Sequence, residues 1–118
     1  MIQKPAYINI KGKLLDLSVP KVMGIINITP DSFYRGSRFM DEHEIIRVAS
    51  DMLRDGADML DIGGYSSRPG AADVTPEEEK NRVLNALCLI QKTFPEAILS
   101  IDTFRADIAN EAVLHCGA

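Results

Sequence analysis

One stretch of this chain gathers the side chains best suited to hold an anion: Asp61-Ile-Gly-Gly-Tyr-Ser-Ser-Arg-Pro-Gly-Ala71. Glycines let a backbone approach a ligand closely, and hydroxyls with a guanidinium match phosphate oxygens. Ser66, Ser67 and Arg68 are the candidates for that contact. Two further polar residues close apolar runs elsewhere, Asn27 after Val22-Met-Gly-Ile-Ile26 and Asp102 after Ile98-Leu-Ser-Ile101. An Asn oxygen can ligate Mg²⁺, which keeps waters and phosphate oxygens as its other ligands. A carboxylate such as Asp102 can accept from two adjacent N–H donors of a heterocycle. Both residue types also serve as turn formers and helix caps, and spacing alone leaves the two roles open. For Asp61 the structural role is favoured, with its side chain turned inward against backbone donors.

The first long loop, Thr29-Pro-Asp-Ser-Phe-Tyr-Arg-Gly-Ser-Arg-Phe39, carries three aromatics. It reads either as a segment pinned to a rim by Phe33 and Phe39 or as a lid over a planar substrate.

The elements that position these residues alternate. Tyr7 to Ile10 and Leu14 to Leu17, joined through Lys11-Gly12-Lys13, predict a β-hairpin. Strands follow at Val22–Asn27, Met59–Ile62 and Ile98–Asp102. Helices follow them at about 41–55, from 75 onward, and at 104–115. Asp41 with Glu44, and Thr75-Pro76 with Glu78, are helix-start signals, and Gly56 and Gly117 are stops. The expected buried stripes are Ile45, Ala49, Met52 and Leu53; Val83, Leu84, Leu87 and Ile90; and Ile108, Ala112 and Val113. The acidic run Glu77-Glu78-Glu79 is expected to be a solvated first turn.

Three βα units imply an α/β fold with a parallel sheet. The long loops, 28–40 and 63–74, both follow strands, so the candidate chemistry collects at the carboxyl ends of the strands. Three units do not close an eight-stranded barrel. The expectation is the N-terminal part of a (β/α)8 TIM barrel, with the hairpin over 1–20 and the βα units over 21–118.

Composition narrows the partners. The 118 residues are 46% apolar, with a formal net charge of −4. That balance offers no basic face for nucleic acid. No apolar run approaches a membrane span, and Met1-Ile-Gln-Lys-Pro5 has no signal-peptide pattern, so a cytoplasmic location is expected. Cys88 and Cys116 fit no metal or redox spacing and are expected as buried thiols. His43 and His115 are expected as surface or capping residues.

Met23-Gly-Ile-Ile-Asn-Ile-Thr-Pro-Asp-Ser-Phe33, the Asp61–Gly70 stretch and Ile101-Asp-Thr103, in this order and spacing, resemble dihydropteroate synthase. The resemblance covers nearly the whole chain. It implies condensation of 6-hydroxymethyl-7,8-dihydropterin pyrophosphate with p-aminobenzoate, with Mg²⁺ assisting loss of pyrophosphate. By the same resemblance Asn27 lies at the metal and pyrophosphate, and Ser67 and Arg68 lie at the pyrophosphate. Asp102 binds the pterin and stabilises its developing positive charge, so Asp102 and Arg68 are the candidate catalytic residues. Phe33 and Pro69 fall where two loops enclose p-aminobenzoate.

Some positions depart from the family pattern. Tyr65 stands where many members carry Glu, and Ser67 where many carry Thr. Arg35 replaces an acidic residue that would face Arg68, leaving closure through Asp31 or direct contact of Arg35 with pyrophosphate as alternatives.

The runner-up is a pterin-binding methyltransferase domain, which has no need of a pyrophosphate clamp. A third reading is a non-catalytic anion-binding segment. Residues 1–118 alone are expected to be inactive, because the family's lysine and Arg-x-His positions lie past Ala118. The full-length protein is expected to be a homodimer.

Overall fold

The computed structural model of the chain describes residues 6–28, 41–64 and 75–118. The elements run β1 (Tyr7–Ile10), β2 (Lys13–Asp16), β3 (Met23–Asn27), α1 (Glu42–Arg54), β4 (Met59–Gly63), α2 (Pro76–Thr93), β5 (Ile98–Asp102) and α3 (Ala106–His115). β1 and β2 form the expected antiparallel hairpin. Its turn places Lys11 and Gly12 at φ 52° and 84°, the left-handed pair that suits a two-residue turn between twisted strands. The Asn9 side chain accepts from the Gly12 N–H at 2.9 Å, closing the turn.

β3, β4 and β5 form a parallel sheet in that order. Asp58 fastens the start of β3 to the start of β4. Its carboxylate accepts from the Val22 N–H at 2.8 Å, and its own N–H donates to the Val22 carbonyl at 2.8 Å. The register is in phase, with Met23 beside Met59 and Met59 beside Ile98. Side chains alternate along a strand, so each rung has a single facing. Ile26, Leu60, Ile62 and Leu99 face the helices and join the core with Ala49, Val83, Leu87, Ile90 and Ile108. The opposite face carries Met23 and Ile25, which are 44% and 64% exposed.

Local chemistry sets the helix boundaries. The Asp41 carboxylate accepts from the Glu44 N–H at 2.8 Å, and the Thr75 hydroxyl accepts from the Glu78 N–H at 3.1 Å. Gly56 at φ 111° and Gly117 at φ 74° turn the chain out of α1 and α3.

Three expectations are corrected. α3 starts at Ala106, two residues late, because Arg105 stays extended as its N-cap. Val113 is 58% exposed; it lies on the outer flank of α3, and Ile108, Ala112 and Cys116 take the inner one. Cys88 and Cys116 are not separate buried thiols. They pair as a disulfide joining α2 to the end of α3, with Cys88 on the exposed side. Their sequence separation of 28 carries no motif, so the pairing becomes visible only once the two helices lie side by side.

Candidate functional site

The last rung of the sheet brings two candidate residues together. Asn27 pairs with Gly63, and Gly63 pairs with Asp102. Adjacent strands lie about 4.8 Å apart, so the Asn27 and Asp102 backbones stand roughly 10 Å apart with glycine between them. Both side chains are exposed on the face away from the helices. A Cβ placed on Gly63 would lie 3.4 Å from an Asp102 carboxylate oxygen. Asp102 therefore leans over the glycine, toward the middle of the rung. An amide, an open floor and a carboxylate form a shelf wide enough for a planar heterocycle.

Two rungs below, on the same face, Ile25, Asp61 and Ser100 are aligned. The Ser100 hydroxyl donates to the Asp61 carboxylate at 2.7 Å. Asp61 is thus held structurally, although its partner is a side-chain hydroxyl rather than the backbone donors expected.

The helix side of the same strand ends holds what the sequence reading missed. Glu79 is fully buried, which corrects the expectation of a solvated acidic turn; Glu77 and Glu78 remain exposed. The Glu79 carboxylate accepts from Arg105 Nε at 2.7 Å and from the Thr103 hydroxyl at 2.6 Å. The Thr103 oxygen in turn accepts from the Arg105 N–H at 3.1 Å. The Arg105 guanidinium carbon lies 4.6 Å from the centroid of the Phe104 ring, a cation–π distance. A sequence signal was present: Glu79 precedes Val83, Leu87 and Ile90 at helical spacing and lies on their stripe. A carboxylate on an apolar stripe needs a partner, and Arg105 and Thr103 supply it.

Gly64 belongs to this side as well. A Cβ there would come 2.6 Å from a Val83 methyl and 3.3 Å from the Glu79 carbonyl. One glycine of the motif therefore serves helix packing, and Gly63 serves the shelf.

Phe33, Ser67, Arg68 and Pro69 lie outside the described residues, as do Asp31, Arg35, Phe39, Tyr65 and Ser66. Among the described residues no group of three or more His, Cys, Asp or Glu could hold a metal ion. The Asn27 amide offers a single hard oxygen. That donor fits Mg²⁺, an ion that draws most of its ligands from phosphate and water. His43 and His115 are exposed in the first turn of α1 and the last turn of α3. No described helix is long and apolar enough to cross a membrane.

A family profile described as "Pterin binding enzyme" matches residues 23–118. The chain belongs to the pterin-binding enzyme family. Among curated relatives, the dihydropteroate synthase of Escherichia coli K12 is 42% identical over 102 residues, 86% of this chain and 36% of that protein. This member of the family also superposes on solved structures. Against Yersinia pestis dihydropteroate synthase in a sulfonamide drug complex the TM-score is 0.84 at 42% identity, covering 96% of this chain and 40% of that one. Against the Burkholderia cenocepacia synthase complexed with 7,8-dihydropteroate it is 0.74 at 36% identity, covering 97% and 36%. The expected barrel segment, hairpin first and three parallel βα units after it, agrees with these superpositions.

Proposed function

We propose that this chain is the N-terminal portion of a dihydropteroate synthase, joining 6-hydroxymethyl-7,8-dihydropterin pyrophosphate to p-aminobenzoate with release of pyrophosphate. The observation that carries the reading is the Asn27–Gly63–Asp102 rung. Its support is that the chain superposes on a synthase whose complex contains 7,8-dihydropteroate, the product of that condensation.

In this reading Asp102 accepts hydrogen bonds from the pterin ring and offsets the positive charge that develops as pyrophosphate leaves. Asn27 contributes one oxygen to Mg²⁺, and the ion supplies charge neutralisation at the leaving group. Ser67 and Arg68 hold pyrophosphate oxygens, and Phe33 and Pro69 enclose p-aminobenzoate and keep water from the cationic carbon. Residues 1–20 act as the hairpin and 21–118 as three βα units of a longer barrel. The complete enzyme is a homodimer in the cytoplasm.

The test is formation of dihydropteroate from the two substrates, read by mass spectrometry with the full-length protein and Mg²⁺. Turnover is expected from the full-length protein and none from residues 1–118. Absence of turnover in the full-length protein, or robust turnover by the short chain, overturns the reading.

A further inference from the structure

We infer that Glu79 is a positioning residue for Asp102, a role that rests on the synthase reading above. Glu79 does not reach the shelf. It is fully buried on the helix side of the sheet, in the first turns of α2. Its two carboxylate oxygens take the first two hydrogen-bonding side chains after Asp102, Thr103 at 2.6 Å and Arg105 at 2.7 Å. Thr103 also ties back the Arg105 N–H at 3.1 Å, so the turn leaving β5 is closed on itself as well as on α2.

The geometry gives this clamp a functional direction. Asp102 is exposed on the face away from the helices, whereas Thr103 bonds Glu79 of α2, so the two side chains point to opposite sides of the sheet. Holding Thr103 against α2 therefore holds the Asp102 backbone with its carboxylate on the ligand face. The ladder fixes Asp102 from the β4 side only, through Gly63, because β5 is an edge among the described strands. Glu79 supplies the second point of attachment. It also packs where the Asp61–Ala71 loop begins, its carbonyl close beneath Gly64. The Glu79 carboxylate thus fixes the turn that carries the pterin-side acid, while its backbone carbonyl packs beneath Gly64.

The choice of residue fits this role. A buried carboxylate between a hydroxyl and a guanidinium makes short, charge-assisted bonds that tolerate little movement. Catalysis is correspondingly sensitive, since a displacement of about 1 Å at a reacting group can cost about 100-fold in rate.

Kinetics of the full-length enzyme test the inference with Glu79→Gln, Thr103→Val and Thr103→Ser. Glu79→Gln keeps the shape and loses the charge; Thr103→Val removes the bonding hydroxyl, and Thr103→Ser retains it. For Glu79→Gln and Thr103→Val, kcat/KM for the pterin pyrophosphate is expected to fall at least about 10-fold, with weaker pterin binding by calorimetry. Thr103→Ser is expected to stay within about threefold of wild type. A lowered Tm with pterin kinetics and binding unchanged in Glu79→Gln and Thr103→Val would make Glu79 merely structural and overturn the inference.

A second readout separates this inference from the synthase reading. The ¹³C carboxyl resonance of Asp102, assigned with Asp102→Asn, is expected to shift or broaden in Glu79→Gln and to keep its position in Thr103→Ser. If the wild-type protein makes no dihydropteroate, the synthase reading falls and this resonance decides. An unchanged Asp102 signal in Glu79→Gln then overturns the positioning role, and a changed one sustains it.

Discussion

Ser100 on β5 donates its hydroxyl to Asp61 on β4 over 2.7 Å, two rungs beneath the pair formed by Gly63 and Asp102. The bond crosses between strands on the face that also carries Asn27 and Asp102, away from the described helices. Its acceptor is a carboxylate, which places it among the stronger hydrogen bonds. Ser100→Ala is therefore expected to destabilise the full-length protein by about 1.5–3 kcal/mol in urea unfolding. Asp61→Asn keeps an acceptor for the hydroxyl and is expected to cost less. Equal losses from the two substitutions would show that this bond is not what Asp61 contributes.

Glu79→Ala is expected to be among the most destabilising changes in the chain. It leaves the partly buried Arg105 guanidinium without its carboxylate, a loss of about 3–5 kcal/mol for a buried pair. Asp51→Ala provides the contrast, because its pairing with Arg54 at 2.8 Å is solvent-exposed. Exposed pairs contribute about 0–1 kcal/mol. Chemical denaturation of both variants checks the difference, and comparable losses would count against the burial argument.

The neighbouring glycines are expected to separate stability from activity. Gly64→Ala drives a methyl to within 2.6 Å of Val83, and overpacking of that kind costs about 1–3 kcal/mol. Combining it with Val83→Ala should return part of the loss, measured as a double-mutant coupling. Gly63→Ala meets only ordinary contacts near 3.4 Å from Asp102. It is expected to leave Tm nearly unchanged while lowering kcat/KM for the pterin substrate, because its methyl occupies the shelf floor. A large drop in Tm for Gly63→Ala with normal kinetics would reverse that assignment.

Asp16 provides a pH-dependent test in the hairpin. The Ser18 N–H bonds its carboxylate at 2.8 Å, and this bond, with smaller help from the Ser18 hydroxyl and from Lys21, holds its pKa below the ordinary aspartate value. The folded pKa is depressed, so the contribution to stability is present above the unfolded pKa and is lost as pH falls through the folded one. NMR titration is expected to place the Asp16 midpoint below that of Asp16 in urea-unfolded protein. Coincident midpoints would remove the bond from the account.

Much of the fold was legible because local signals agreed with one another. Asp41 and Thr75 announced their helices, and the three apolar runs ended on Asn27, Gly63 and Asp102 within a residue of expectation. That Asn27 and Asp102 share a rung was not legible, since it depends on register between strands far apart in sequence. Glu79 was misread because an acidic triplet at a helix start has a complete local explanation in the helix dipole, and its buried partners lie 24 and 26 residues away. The Cys88–Cys116 pairing escaped for the same reason. Local propensity sees caps and stripes; it does not see which stripes meet.

The in-phase register has a consequence for how this sequence can change. Sliding β5 by one residue against β4 would turn Leu99 and Ile101 out to the face that carries Asn27 and drive Ser100 and Asp102 beneath the helices. A misregistered chain would therefore lose its core and its shelf in the same step. Errors in strand pairing are removed by folding itself, before any substrate arrives to test them. Selection for a well-packed helix layer is then also selection for where the carboxylate points.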